Sequence, residues 1–325
     1  MPPTRAGAAL ATGCVGALMV AAALTLAADR PTATAPRAAW QELGAATIAR
    51  TEVGAARVGG FAYVVGGYVP PSGATTAIVE RYDLRRDRWR RVRPLPLALN
   101  HAAAASDDRH LYIVGGYTSG LGGETATLLR YEPGRDRWTR LPDMPTARGA
   151  LGAAITGGRL YAVGGARRGG EALRTVEVFD LRTRRWRTGP PMPTAREHLA
   201  VTAAGGAVYA ISGRTAPAGN LAAVERLVRG RWQRLPGVRH TRGGIAATPA
   251  GSEIILLGGE ESAGTIRSVE AYAPARRRWR FLAAMPTPRH GLGAVTFRGR
   301  VFTFSGGTEP GLTYSARTEA LRVGR

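Results

Sequence analysis

Six Trp residues stand at positions 40, 89, 138, 186, 232 and 279, at intervals of 49, 49, 48, 46 and 47. A period held over most of a chain dictates the kind of fold. Each unit is a supersecondary element that cannot bury its apolar face alone and must pack on its neighbours. Two further series keep the same period. One ends in Gly: "VVGG" at Gly67, "IVGG" at Gly116, "AVGG" at Gly165, "AISG" at Gly213, "LLGG" at Gly259 and "TFSG" at Gly306. The other reads "VERYD" at 79, "LLRYE" at 128, "VEVFD" at 176, "VERLV" at 224 and "VEAYA" at 269. It sets an aromatic seven residues before Trp in four units, at Tyr82, Tyr131, Phe179 and Tyr272.

Inside each unit the periodicity is that of strands. A small-residue strand such as "GALGAAI" leads through a "TGGR" turn to an apolar strand, "LYAVGG"; a variable loop, the alternating strand "TVEVFDL" and a last strand with Trp186 follow. Four strands per unit predict radially packed sheets. The small residues belong at the crowded centre of the wheel and Trp in the wide gap between blades. On these residues the chain resembles the kelch family over residues 38–325, six units of about 48. The resemblance implies an all-β, six-bladed β-propeller of four-stranded antiparallel blades. The last unit has three strands and no Trp, whereas Trp40 has no unit before it. The N-terminal strand "AAWQEL" is therefore expected to complete the sixth blade and remove two open sheet edges.

The tenth residue after each Trp is Arg50, Leu99, Arg148, Arg196, Arg242 and Arg289; sixteen residues later comes the Gly or Ser that opens the doublet. This address, at the start of the innermost strand, lies at the rim of the central channel. Two readings stand. The five Arg form a cationic funnel that binds an acidic protein segment or acidic glycan by two-pronged hydrogen bonds, as the kelch resemblance allows. Alternatively, they are internal clips on carbonyls of adjoining loops. Two positions further on, Glu52, His101 and His198 return to the same face and are candidate acid–base residues. The resemblance offers one enzymatic alternative, a sialic-acid-type sugar-acid mutarotase or epimerase. The recurrent Glu80, Glu177, Glu225, Glu270 and Glu319 read as structural partners of local Arg or backbone groups.

Composition narrows the rest. All 45 basic residues are Arg, against 23 acidic ones, a formal charge of +22. Turns such as "RRDRW", "GRDRW" and "ARRRW" gather part of it on the face opposite the funnel. Weak, salt-dependent contact with anionic surface polymers is expected there. Aromatics do not interleave with these Arg as base stacking requires, so sequence-specific nucleic-acid binding is not expected. The lone Cys14 excludes intramolecular disulfides and Cys-based metal sites. It also excludes the copper radical chemistry of the galactose oxidase-like propeller, which needs a Cys cross-linked to Tyr. No metal or cofactor, and a monomer, are expected. Residues 1–28, with Arg5 before an uncharged apolar run, read as a secretory signal or an uncleaved membrane anchor. Residues 29–37 are a Pro/Thr/Ala linker, and the remainder is expected outside the cytoplasm.

Overall fold

The computed structural model describes residues 39–323. The leader and linker expected over residues 1–37 lie outside them. Six four-stranded antiparallel sheets follow one another around an axis, the β-propeller expected from the period. The first blade runs Gly54–Val58, Phe61–Val65, Val79–Asp83 and Arg88–Val92 from centre to rim. In the sixth, Gly293–Phe297, Arg300–Phe304 and Thr318–Arg322 are completed on the rim by Trp40–Leu43. The seam is antiparallel, with Trp40 opposite Leu321 and Leu43 opposite Thr318.

The periodic residues each have a mechanical task. Every Trp indole N–H donates to a backbone carbonyl of the preceding blade: Trp89 to Gly44, Trp138 to Arg93, Trp186 to Pro142, Trp232 to Pro190 and Trp279 to Pro236. Trp40 obeys the same rule across the seam, donating to Ala283 of the fifth blade. The aromatic seven residues earlier faces Trp across the outer hairpin, Tyr82 opposite Trp89 and Tyr131 opposite Trp138. Their ring centroids lie 5.0 and 4.8 Å apart. In the fourth blade Leu227 takes the aromatic's place opposite Trp232. The apolar core lies between neighbouring blades; Tyr82, Phe302 and Phe304 fill the gap between the sixth and the first.

At the centre the inner strands approach so closely that side chains must shrink. A Cβ on Gly152 would fall 2.3 Å from Val201 Cγ2 of the next blade. The Gly doublet ties blades together as well. Gly67 N donates to Leu99 O of the second blade, and the equivalent bond recurs around the ring to Gly306 N and Arg50 O. Gly66 adopts φ +60°, and a Cβ there would meet Leu99 O at 2.1 Å, so Gly is favoured at this place. Where Ser212 replaces that Gly, its hydroxyl donates to Arg242 O, the same interblade carbonyl.

Candidate functional site

The five ring Arg do not form a funnel. Arg50, Arg148, Arg196, Arg242 and Arg289 have no exposed surface. Each guanidinium folds back into its own blade and pairs with the third-strand Glu: Glu80 at 2.7 Å, Glu177 at 2.6, Glu225 at 3.0, Glu270 at 2.6 and Glu319 at 2.7. Arg148 shows the arrangement. Its Nε donates to Gly164 O, Nη2 to Ala162 O, and Nη1 to Thr146 O and Glu177 Oε2. Thr146 then gives its hydroxyl to Glu177 Oε1, as Thr194 and Thr287 do to Glu225 and Glu319. The recurring Met-Pro-Thr-x-Arg is thus one device. Met144, Met192 and Met285 are buried, Thr holds the Glu, and Arg pairs with it; Arg148 and Arg289 also bind the carbonyl that opens the doublet. Burial pulls the Arg148 guanidinium below its usual range against the opposing effect of Glu177, and it stays charged. The ligand-binding assignment of these five Arg is corrected on this ground: their guanidinium groups face inward, paired with Glu, and none reaches the surface. The structural reading of the five Glu agrees with the geometry. In the second blade Leu99 replaces Arg, and Leu129 stands where the other blades have Glu; the two belong to one apolar cluster.

The polar chemistry lies two residues further on. Glu52, His101, Ala150, His198, Gly244 and Gly291 occupy the same place in successive blades, all with φ between 50° and 66°. Their backbones form a belt around the axis. His101 N donates to Glu52 O, Ala150 N to His101 O, His198 N to Ala150 O, Gly244 N to His198 O and Gly291 N to Gly244 O; Val53 N closes the belt on Gly291 O. The belt requires a left-handed conformation at every position. Two blades meet this with Gly. At Glu52, His101 and His198 a side chain is carried there at roughly 1–2 kcal/mol each.

The three sequence candidates converge. Each of Glu52, His101 and His198 offers one ligating atom within 4.8 Å of the other two. Glu52 Oε2 lies 3.2 Å from His101 Nε2, and Glu52 Oε1 accepts from His290 Nδ1 at 3.1 Å. His101 is wedged between Tyr68 and Tyr117, each ring centroid 5.7 Å away, and meets His198 edge-on at 4.8 Å. Burial pushes the His101 imidazole down to about 4, despite the opposing Glu52. Burial alone would raise the Glu52 carboxyl, but the surrounding imidazoles, above all His101 and His290, hold it well below the usual carboxylate range. His290 is raised: Glu52 outweighs the effect of burial.

Four partners were not foreseen from sequence: Glu197, Arg214, Glu260 and His290. Glu197 Oε2 accepts from His198 Nδ1. Arg214 Nε donates to Glu197 Oε1 at 2.7 Å and Nη1 to Glu260 Oε1 at 2.9 Å. One bridge per blade brings these residues in, joining the residue after the ring Arg to the residue after the doublet, as in Glu197 with Arg214. His198 and Arg214 also line a cleft of about 630 Å³, with Tyr117, Leu121 and Arg167 on its walls. The loops after the doublet frame this mouth, four of them as two-stranded ribbons. Among the described residues no helix is long and apolar enough to cross a membrane.

Comparison with known proteins agrees with this architecture. In shape the chain is similar to the protein of the solved "Structure of YjhT", with a TM-score of 0.72 and 15% identity, covering 85% of this chain and 95% of that one. In sequence it is 38% identical over 76 residues to the "Kelch-like protein terF" of Aspergillus terreus; the match spans 22% of this chain and only 17% of that protein. The profile of the KLHDC2/KLHL20/DRC7 Kelch-repeats domain matches residues 52–241. With more than half its length so matched and all six blades in phase, the chain belongs to the kelch-repeat family.

Proposed function

We propose that the mouth of the central channel performs acid–base chemistry on a small acidic, hydroxyl-bearing ligand, and that mutarotation of a sugar acid is the reaction it fits. The observation that carries this is the Glu197–His198 pair at the edge of the cleft. The Glu197 carboxylate holds the Nδ1–H tautomer of His198, which leaves Nε2 as the base. In mutarotation the base takes the anomeric hydroxyl proton, the ring C–O bond breaks, and the ring oxygen is protonated. The open-chain carbonyl then turns and recloses in reverse, with no net redox change. Arg167, exposed on the cleft wall, is the cation available to the ligand's carboxylate. Arg214 is engaged by Glu197 and Glu260 and orients the pair. The acidic ligand therefore stays in the reading while its site moves from the ring Arg to the cleft. The export expected of residues 1–28 would present this site to ligands outside the cytoplasm.

The test is two-dimensional exchange NMR on anomeric mixtures of sialic acid and uronic acids, with and without the protein. Exchange above the buffer rate that falls at least 100-fold in H198Q supports the reading. Saturable binding with no added exchange would reduce the site to a binding module. Neither binding nor exchange would remove the reading altogether.

A further inference from the structure

The hydrogen bonds around the belt determine which nitrogen of each His carries its proton. Asn100 Nδ2 donates to Gly120 O at 3.1 Å, and a carbonyl can only accept, so the amide is oriented with Oδ1 towards His101. Asn100 Oδ1 lies 2.6 Å from His101 Nδ1, which must therefore be the donor. The remaining nitrogen, Nε2, faces Glu52 Oε2 at 3.2 Å. Glu52 Oε1 is already taken by His290 Nδ1. In its neutral form His101 thus opposes a lone pair to a carboxylate oxygen, and the two attract only around a shared cation. His198 repeats the pattern, its Nδ1 on Glu197 and its Nε2 without a carboxylate partner among the described residues. Arg214 Nη2 lies 3.3 and 3.2 Å from Nδ1 and Nε2 of His198. An atom so nearly equidistant cannot lie on the in-plane lone-pair axis of either nitrogen.

We infer that Glu52, His101 and His198 form a binding site for a divalent first-row transition metal ion, with Zn²⁺ the ion of choice. Two imidazoles and one carboxylate are an established donor set for Zn²⁺. Ligand atoms about 2.0–2.1 Å from a tetrahedral ion stand roughly 3.3 Å apart, close to the Glu52–His101 separation. Both His carry the supporting shell that such ligands need, the far ring nitrogen held by an amide oxygen or a carboxylate. The other belt positions, Ala150, Gly244 and Gly291, bring no donor. They leave one side of the ion open to water in an axial cavity of about 80 Å³. This site goes beyond the acid–base reading and is exclusive with it: an ion on His198 Nε2 removes the base.

The test uses the full chain, stripped with chelator, then titrated with ZnCl₂ by calorimetry and with CoCl₂ by visible absorption. Expected are one Zn²⁺ per chain, a four- or five-coordinate Co²⁺ spectrum, and at least 100-fold weaker binding in E52Q and in H198Q. Asn100→Ala removes only the support of His101 and should cost about 10–100-fold. Circular dichroism confirms that each variant is folded. No saturable binding, or binding unchanged in both E52Q and H198Q, would overturn the site. Binding and anomer exchange are read separately. Exchange lost in H198Q without any Zn²⁺ binding defeats this site and leaves the acid–base reading intact. Zn²⁺ bound as described with no exchange in the stripped protein does the reverse.

Discussion

Replacing Arg148 and Glu177 together by Leu should be nearly harmless, although either change alone should be severe. The pair is buried, with 0% and 3% of the two side chains exposed. Arg148→Leu leaves the Glu177 carboxylate in the interior with one hydroxyl donor, Thr146, and strips donors from Ala162 O and Gly164 O. Glu177→Leu leaves a guanidinium facing carbonyls with no counter-charge. Breaking a buried pair from one side costs about 3–5 kcal/mol, whereas replacing both partners by apolar groups of similar volume is often neutral or stabilising. The molecule already contains the double replacement, because Leu99 and Leu129 occupy these two places in the second blade. Urea unfolding of the four proteins of the cycle measures the effect. The two single variants should each lose about 3–5 kcal/mol, the double variant under about 2 kcal/mol, at unchanged m-value. A double variant that loses the sum of the singles would refute the claim that the clip is an exchangeable packing unit. It would show that the bonded carbonyls, not the pairing of charges, carry its weight.

Other expectations follow from the same geometry. Arg196 is poorly satisfied, its Nε and Nη1 lacking hydrogen-bond partners. R196L/E225L should therefore match or exceed the wild type in urea midpoint, and do better than the Arg148–Glu177 double variant. Gly291→Ala places a methyl 2.6 Å from Glu52 Oε1 at a φ of +57°. It should displace the carboxylate and weaken Zn²⁺ binding at least tenfold, as calorimetry would show, with thermal unfolding reporting about 1–2 kcal/mol lost. His101 has a folded pKa of about 4 against 6.5 unfolded. The unfolded state binds more protons between these values, so its contribution is complete above pH 6.5 and is lost as pH falls towards 4. The loss is of order 3 kcal/mol. H101Q should flatten that part of the pH dependence of the urea midpoint. His290 has the opposite sign; its stabilisation is complete below 6.5 and fades only at higher pH, outside that window.

The spacing of a few residues made most of the fold legible. A last unit without Trp and a first Trp without a unit together specify the seam, and Trp40 donates to Ala283 as the wrapped count requires. The direction of the ring Arg was a different matter. Spacing gives the position of a Cα, and the same period serves a guanidinium pointing into a channel or one turned into its blade. A discriminating signal was present: the one unit with Leu99 for Arg is also the one with Leu129 for Glu, which an internal pair explains and a ligand ring does not. Glu52, His101 and His198 were picked out by the two-residue repeat of a strand, although they stand in the left-handed region; what gathers them is one shared register beside the axis. Glu197, Arg214, Glu260 and His290 were not, because they come from two other registers, the residue after the ring Arg and the residue after the doublet, spread over three blades. Only the bridges between the ring and the doublet bring them together.

Because the opening strand is the outer edge of the final blade, the circle has no privileged starting point. Trp40 lies opposite Leu321, so a few linking residues would join the two ends of the propeller. New termini could then be cut at the turn beyond any blade. Such a circular permutant would keep every sheet, the cleft and the axial cavity while shifting where assembly is completed. In the natural order the nascent chain holds five whole blades and an unfinished sixth until its last strand arrives. Ring closure is therefore the last step in assembling the propeller, and the mouth gains its full set of side chains only after it.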